Sequence, residues 1–219
     1  MRRILDAGCG RGEFLQEKFS WMQNIEVYGV DISPEFIKDA VETSPRHFRF
    51  KICALEKLDF PDGYFDEVYC HDVLEHVEDY PRALENICRV LKPAGHLHLV
   101  IPDPVCEKII FHFDPLYCSS QMHRRVIPSW QIKEDLEKRG FVVVKCQKLM
   151  MINALMAIYR AMRRLPVEPQ SGLYTKPQEI AWIYRIFGPF YRLKLVQWLD
   201  GTLLVRILAK KYVIEAIKK

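Results

Sequence analysis

Paired cysteines are missing from this chain. Its seven cysteines, at positions 9, 53, 70, 88, 106, 118 and 146, are scattered with no C-x-x-C pair and no framework spacing. That excludes a disulfide-stapled scaffold and reads as buried thiols in a reducing compartment. Long apolar runs are missing too. The longest mostly apolar stretch, Leu149 to Tyr159, contains Asn153 and falls far short of the roughly 20 residues that span a bilayer. No basic stretch precedes an apolar one at the start, so no secretory signal is expected and the reading is a cytoplasmic protein. Metal-ligand spacing is absent as well: His71 and His76 stand five apart, unlike the i, i+4 pair of an H-E-x-x-H helix, and no metal is expected. There is no internal repeat and no low-complexity tract. What remains is a 219-residue chain, 49% apolar and 12% aromatic, long enough to bury one substantial core plus an appendage.

The most informative text comes first: Ile4-Leu5-Asp6-Ala7-Gly8-Cys9-Gly10-Arg11-Gly12, an apolar strand feeding an acidic, glycine-rich turn. Glycines at alternate positions let a backbone approach a ligand that side chains would block. A second strand-like run, Val27 to Val30, ends in Asp31, where a carboxylate can accept both hydroxyls of a ribose. The pattern points to a nucleoside-containing cofactor at the carboxyl ends of parallel strands. The spacing is G-x-G-x-G, with Glu13 following and Asp6 ahead, not the G-x-G-x-x-G that cradles a pyrophosphate. A carboxylate repels a pyrophosphate and attracts an ammonium or sulfonium, which favours S-adenosylmethionine over NAD.

Apolar runs at 3–7, 26–31, 47–52, 65–71, 95–101 and 141–146 alternate with helical patterns at 13–20, 34–43, 80–91 and 130–139. Such alternation predicts an α/β fold with a parallel sheet and right-handed crossovers. Ser33-Pro34 is an N-cap followed by Pro at the first helical position, and Ser129 is a second cap. Lys92-Pro93-Ala94-Gly95 stops one helix and restarts the chain as a strand. A final strand is expected at 202–210, after the turn Asp200-Gly201.

Residues 3–103 resemble the Rossmann-like S-adenosylmethionine-dependent methyltransferases, in particular the broad group with the ubiquinone and menaquinone enzymes. The resemblance rests on ILDAGCGRGEFL, YGVDIS and LDFPDGYFDEVYCHDVLEHVEDYPRALENICRVLKPAGHLHLVIPD, in the family's order and spacing. It implies a doubly wound, mostly parallel seven-stranded sheet whose last strand is antiparallel. Residues 1–219 would then form one domain with core 1–148 and 200–219, and 149–199 would be a helical insertion. It also implies that Asp6, Ala7, Gly8, Cys9 and Gly10 hold the methionine end of the cofactor. Asp31 and Ile32 would take the ribose, with Ala54, Leu55, His71 and Asp72 along the adenine and sulfonium. Cys53 stands where relatives often carry Asp near the adenine, so backbone at Ala54 and Leu55 would serve instead. Relatives usually cover the cofactor with an N-terminal helix. This sequence reaches its first strand almost at once: either the gene is short at this end, or other segments supply the cover, with the Pro-rich loop 102–128 and the insertion as candidates.

Methyl transfer needs a nucleophile aligned with the S–CH₃ axis, and a base only where that nucleophile carries a proton. In the resembled family the site opens after the fourth strand, here His71-Asp72-Val73-Leu74-Glu75-His76, making His76 the first base candidate. His123 is the second, with Arg124 and Arg125 beside it to hold an acceptor carboxylate or phosphate. His112, Asp114 and Tyr117 precede it. Asp114-Pro115-Leu116-Tyr117 imitates the [DN]-P-P-[YF] signature of exocyclic-amine methyltransferases but lies beyond the fifth strand, which disfavours that activity.

Charge is uneven. Residues 1–149 hold 20 basic and 24 acidic side chains; residues 150–219 hold 12 and 4. Within 149–199, Trp182, Tyr184, Phe187, Phe190, Tyr191 and Trp198 alternate with Arg185, Arg192 and Lys194, which suits peripheral contact with an anionic membrane or a lid over an apolar substrate. A formal charge of only +4 gives no reason to expect nucleic acid. The acceptor implied is a small or lipid-like molecule. Alternatives are a non-catalytic cofactor-binding or membrane-docking protein and an NAD-dependent oxidoreductase, the latter disfavoured by Glu13 and the turn spacing.

Overall fold

The computed structural model describes residues 1–113, 123–149 and 209–219. Seven strands, β1 (Arg2–Ala7), β2 (Ile25–Asp31), β3 (Phe48–Ile52), β4 (Phe65–His71), β5 (Leu91–Pro102), β6 (Phe141–Leu149) and β7 (Lys211–Lys218), form one sheet in the order β3-β2-β1-β4-β5-β7-β6. β1 pairs in parallel with β2 and β4, β2 with β3, and β4 with β5. β7 runs against β6: the Lys219 N–H donates to the Gly140 carbonyl at 2.8 Å and the Lys210 N–H to the Leu149 carbonyl at 3.1 Å, so each strand starts where the other ends. The order reverses between β1 and β4, the place where a doubly wound sheet opens a crevice at its carboxyl ends.

Five helices are described: α1 (Glu13–Phe19), α2 (Pro34–Thr43), α3 (Tyr80–Val90), α4 (Pro104–Phe113) and α5 (Ser129–Lys138). The Ser33 hydroxyl accepts the Phe36 N–H at 3.3 Å, and Pro34 follows as the first helical residue. Asp79 caps α3 in the same way, through the Arg82 N–H at 3.0 Å. Ser129 is itself the first residue of α5 rather than the residue ahead of it. Ile4, Leu15, Phe19, Val27, Ile37, Phe48 and Tyr69 pack into one buried cluster from β1–β4 and the first two helices. This apolar contact holds the amphipathic helices on the sheet.

Three segments differ from expectation. Within the supposed loop 102–128, α4 forms because Asp103 caps it. One carboxylate oxygen accepts the N–H of Val105 at 2.9 Å and of Cys106 at 3.1 Å, and Pro104 needs no donor partner at its position. β5 begins at Leu91, four residues early. Phe65 pairs with Leu91 and Glu67 with His96, so an irregularity absorbs Lys92–Gly95 inside the strand, with Ala94 at a positive φ of 60°. The last strand is Lys211–Lys218 rather than 202–210. Its inward residues are Ile214 and Ala216, both buried, with half-buried Glu215 between them, the period-2 alternation of a strand wet on one face. Residues 202–208 of the expected strand lie outside the described residues. So do Asp114 and Tyr117, and the expected insertion 149–199 apart from Leu149 at the end of β6.

The chain divides into two compact units, Met1–Ile101 with Ser129–Cys146 and Val213–Lys219, and Pro102–Pro128 with Gln147–Tyr212. In the second unit the Asp103 backbone N–H donates to the Lys210 carbonyl at 2.7 Å, and the Lys148 ammonium meets the other Asp103 carboxylate oxygen at 2.9 Å. Among the described residues, no helix is long and apolar enough to cross a membrane. Asp103 is fully buried and serves both the helix cap and the ion pair. Asp103→Ala is therefore expected to destabilise the protein by about 3 kcal/mol in urea unfolding, since it removes a cap and strands a half-buried ammonium. Asp103→Asn, which keeps an acceptor for the cap, should lose visibly less.

Candidate active site

Buried on both faces, β1 presents Ile4, Leu5 and Ala7 to the core with no exposed surface. At its end the chain turns sharply. The N–H groups of Gly8 and Cys9 both donate to the Val30 carbonyl, at 2.8 and 2.9 Å, and pin the turn to the end of β2. Two of its glycines serve different needs. Gly8 sits at φ 94°, and a Cβ there would come within 2.2 Å of a Val73 methyl, so the loop after β4 can seat against it only because it is glycine. Gly10 sits at φ 52° with nothing within 4 Å of where a Cβ would stand. Its neighbourhood is open.

Asp6 and Asp31 define the electrostatics of this opening. Asp6 is 3% exposed. Burial pushes its carboxyl up to about 7, and the Asp31 charge adds to the effect. Asp31 is held by backbone: one carboxylate oxygen accepts the Gly10 N–H at 2.9 Å and the other the Ser33 N–H at 2.9 Å. Ile32 beside it is a 73% exposed apolar side chain. The Asp31 carbonyl accepts the Cys53 N–H at 2.9 Å, which places Ala54 and Leu55 after the end of β3. There the Ala54 carbonyl receives the Lys57 N–H at 3.0 Å and the Leu55 carbonyl receives the Asn86 amide at 3.1 Å. Burial raises the Cys53 thiol.

The end of β4 carries His71, packed edge-on against Phe14 with ring centroids 4.7 Å apart. Asp72 follows at a positive φ of 54°, its N–H donating to the Val100 carbonyl at 2.9 Å. The His76 N–H donates to the Val73 carbonyl at 2.9 Å, and its ring nitrogen lies 3.9 Å from a carboxylate oxygen of the buried Glu75. Two thiols register the field these acids make. Burial raises Cys70 well above its ordinary value, and Glu75, Asp6 and Asp72 push it further. Cys9 is raised by burial and then by Asp6 and Asp31. Four carboxyl groups thus converge on the carboxyl ends of β1, β2 and β4, a setting that disfavours a pyrophosphate and suits a cation.

His123 belongs to the second unit. Its Nδ1 lies 2.8 Å from a carboxylate oxygen of Glu107, with side-chain exposures of 10% and 2%. Arg124 beside it is exposed. Sequence reasoning missed Glu107 and Glu75. Glu107 lay in a segment read as loop, yet it is one helical turn beyond Asp103, so the Asp-Pro cap signal would have found it. Nothing in the spacing distinguishes Glu75, which is buried by tertiary packing, from an ordinary turn acid.

The methyltransferase domain family matches residues 5–99. The chain is 30% identical over 137 residues to YcgJ, an uncharacterized methyltransferase of Bacillus subtilis, covering 59% of this chain and 53% of that one. It is 38% identical over 103 residues to the ubiquinone biosynthesis O-methyltransferase of Xanthomonas oryzae pv. oryzae, covering 44% and 41%. The chain thus spans about half of these relatives' length or less. The crystal structure of a SAM-dependent methyltransferase from Archaeoglobus fulgidus superposes with a TM-score of 0.64 at 25% identity, over 99% of this chain and 86% of that one. Sequence match and strand order agree: residues 5–99 are similar to the methyltransferase domain family, and the chain shares the fold of a solved SAM-dependent methyltransferase.

Proposed function

We propose that this chain transfers a methyl group from S-adenosylmethionine to a small-molecule or lipid-like acceptor. The observation that carries the reading is Asp6, a buried carboxyl near neutrality beside a second acid, under a glycine turn with open space at Gly10. That combination fits a ligand with an ammonium and a sulfonium and no phosphate. Asp6, Ala7, Gly8, Cys9 and Gly10 hold its methionine end. Asp31, already oriented by two backbone N–H groups, retains lone pairs for the ribose hydroxyls, and Ile32 offers apolar surface to the base. Ala54, Leu55, His71 and Asp72 complete the cofactor site. S-adenosylmethionine supplies an activated methyl group when bound. The protein's task is then to align the acceptor, exclude water and, where the acceptor carries a proton, remove it. His76 and His123 are the bases available. The name of the Xanthomonas relative supports a hydroxyl acceptor on an apolar molecule. The basic, aromatic segment 149–199 suits an anionic lipid surface.

The readings are separable by calorimetry. S-adenosylhomocysteine is expected to bind and NAD is not; the reverse would make the chain a dinucleotide protein. Gly10→Ala should cost stability by only about 1 kcal/mol, the strain of a left-handed alanine, while weakening S-adenosylhomocysteine at least tenfold. Asp31→Ala should weaken it similarly.

Asp6 adds a pH signature with opposite signs for folding and binding. Its carboxyl titrates near 7 when folded and near 3.8 when unfolded. As pH rises from about 4 to about 7 the unfolded chain loses this proton first, so Asp6 contributes a growing penalty to the ligand-free fold. Asp6→Asn should therefore melt higher than wild type at pH 8 and alike near pH 4. A bound cation favours the ionised carboxylate, so wild-type affinity should strengthen by up to about tenfold from pH 6 to pH 8. The Asp6→Asn variant should bind weakly and without that dependence. Co-sedimentation with vesicles of mixed neutral and anionic phospholipid at low salt checks the membrane contact; protein left in the supernatant would reject it.

A further inference from the structure

The chain that leaves β3 is fastened to α3 from end to end. Asp31 and Ile52 are register partners at the ends of β2 and β3, and the Cys53 N–H donates to the Asp31 carbonyl at 2.9 Å. A base attached to a ribose at Asp31 therefore reaches the chain that follows Cys53, one strand spacing (about 4.8 Å) away. From Leu55 to Asp62 that chain is not a strand, and α3 supplies the partners that a neighbouring strand would otherwise provide. The Asn86 amide donates to the Leu55 carbonyl at 3.1 Å. One terminal nitrogen of Arg89 donates to the Leu58 carbonyl at 2.6 Å, and the other to the Phe60 carbonyl and an Asp62 carboxylate oxygen, both at 2.7 Å. The Arg89 Nε donates to the Asn86 side-chain oxygen at 3.4 Å and links the two. The start of the helix is tied in as well: one Glu56 carboxylate oxygen accepts the N–H groups of Glu78 and Asp79, at 2.9 and 3.2 Å. At its end the carbonyls of Arg89 and Val90 receive the N–H groups of Gly63 and Tyr64, at 3.0 and 2.8 Å. A surface segment can satisfy its carbonyls with water, so hydrogen bonding alone does not require this arrangement. Asn86 is 5% exposed, on a helix whose other buried members include Ala83, Leu84, Ile87 and Val90. An amide there loses its water and lowers helix propensity, and its donor goes to the backbone beside the ribose position. The segment is thus ordered before any ligand arrives, and a preordered edge discriminates between ligands where a loose one adapts.

We infer that Asn86 and Arg89 are positioning residues for the cofactor's base: they fix the backbone after Cys53 so that it presents one hydrogen-bonding edge, matched to adenine and mismatched to a purine with a carbonyl in place of the 6-amino group. The inference rests on the S-adenosylmethionine reading and extends it from the sugar and the methionine end to the base. Each side chain acts through the carbonyls it holds. A 6-oxo purine offers an acceptor and an N1–H where adenine offers a donor and a bare N1, so one fixed backbone edge cannot serve both. A loosened backbone can turn to either, and must then be ordered afresh for each.

Calorimetry on the full chain compares S-adenosylhomocysteine with its analogue S-inosylhomocysteine, for wild type and three variants. Wild type is expected to bind the adenosyl compound about tenfold more tightly or better, the discrimination that one fixed polar edge provides. Asn86→Asp is isosteric and removes the amide donor to Leu55. Arg89→Lys keeps the charge and loses the fork that spans Leu58 and Phe60. Each is expected to weaken S-adenosylhomocysteine about tenfold while the inosyl compound stays within about twofold, so that the preference falls to near unity. Tyr80→Phe is the control. It removes a hydrogen bond from the same helix, the Tyr80 hydroxyl to Asp135 at 2.9 Å, and is expected to lower the melting temperature with the preference intact. Equal losses for both ligands, unchanged affinities in Asn86→Asp and Arg89→Lys, or a preference that falls in Tyr80→Phe as well would reduce these contacts to structural ones and overturn the inference. If Asn86→Asp does not fold, Arg89→Lys carries the comparison. A wild type that binds both ligands alike overturns the inference without any variant, whereas one that binds neither sinks the S-adenosylmethionine reading itself.

Discussion

A buried carboxyl with a second acid beside it cannot ionise cheaply, and at the head of this sheet that conflict is built in. Asp6 ends a strand with no exposed surface on its apolar residues, and Asp31 ends its neighbour. One of the two is relieved locally, because backbone N–H groups of Gly10 and Ser33 donate to both oxygens of Asp31. The other is left near neutrality by burial. A fold that stabilised only itself would place an apolar residue at position 6. Retaining an acid there carries a penalty for the ligand-free fold at neutral pH.

The second unit resolves a buried carboxylate differently. Glu107 is as deeply buried as Asp6 but meets a histidine at hydrogen-bonding distance, and Asp103 one turn earlier is shared between a helix start and Lys148. The three acids illustrate three fates of a buried charge: shifted toward its neutral form, paired with a histidine, or consumed in holding the backbone.

The centre of the sheet was legible because β1, β2 and β4 are buried on both faces. Continuous apolar runs such as Ile4-Leu5 and Val27–Val30 leave no other role, and turns with Asp, Gly or Ser-Pro mark where they end. The errors occurred where continuity misled. The apolar stretch 202–210 outweighed the quieter alternation Tyr212-Val213-Ile214-Glu215-Ala216, although alternation is the signature of a strand with one wet face. Pro93 and Gly95 argued for a later start to β5, but a bulge accommodates both. Prolines between 102 and 128 suggested a loop, although Pro104 after Asp103 is a helix start. Within the site, glycines and strand-end acids could be read directly because backbone geometry demands them. Glu75 and Glu107 could not, because their burial is a property of the assembled fold rather than of neighbouring sequence.

Gly8 and Val73 lie far apart in the chain, yet the valine methyls occupy the volume a side chain at Gly8 would need. The turn after β1 and the loop after β4 are therefore mated surfaces, like a tenon in its socket. Neither can swing outward without opening a void beneath the other, so the segment carrying His71, Asp72 and His76 is held against the end of β1. The close fit of the two loops thus comes from an absent side chain, not from an added bond.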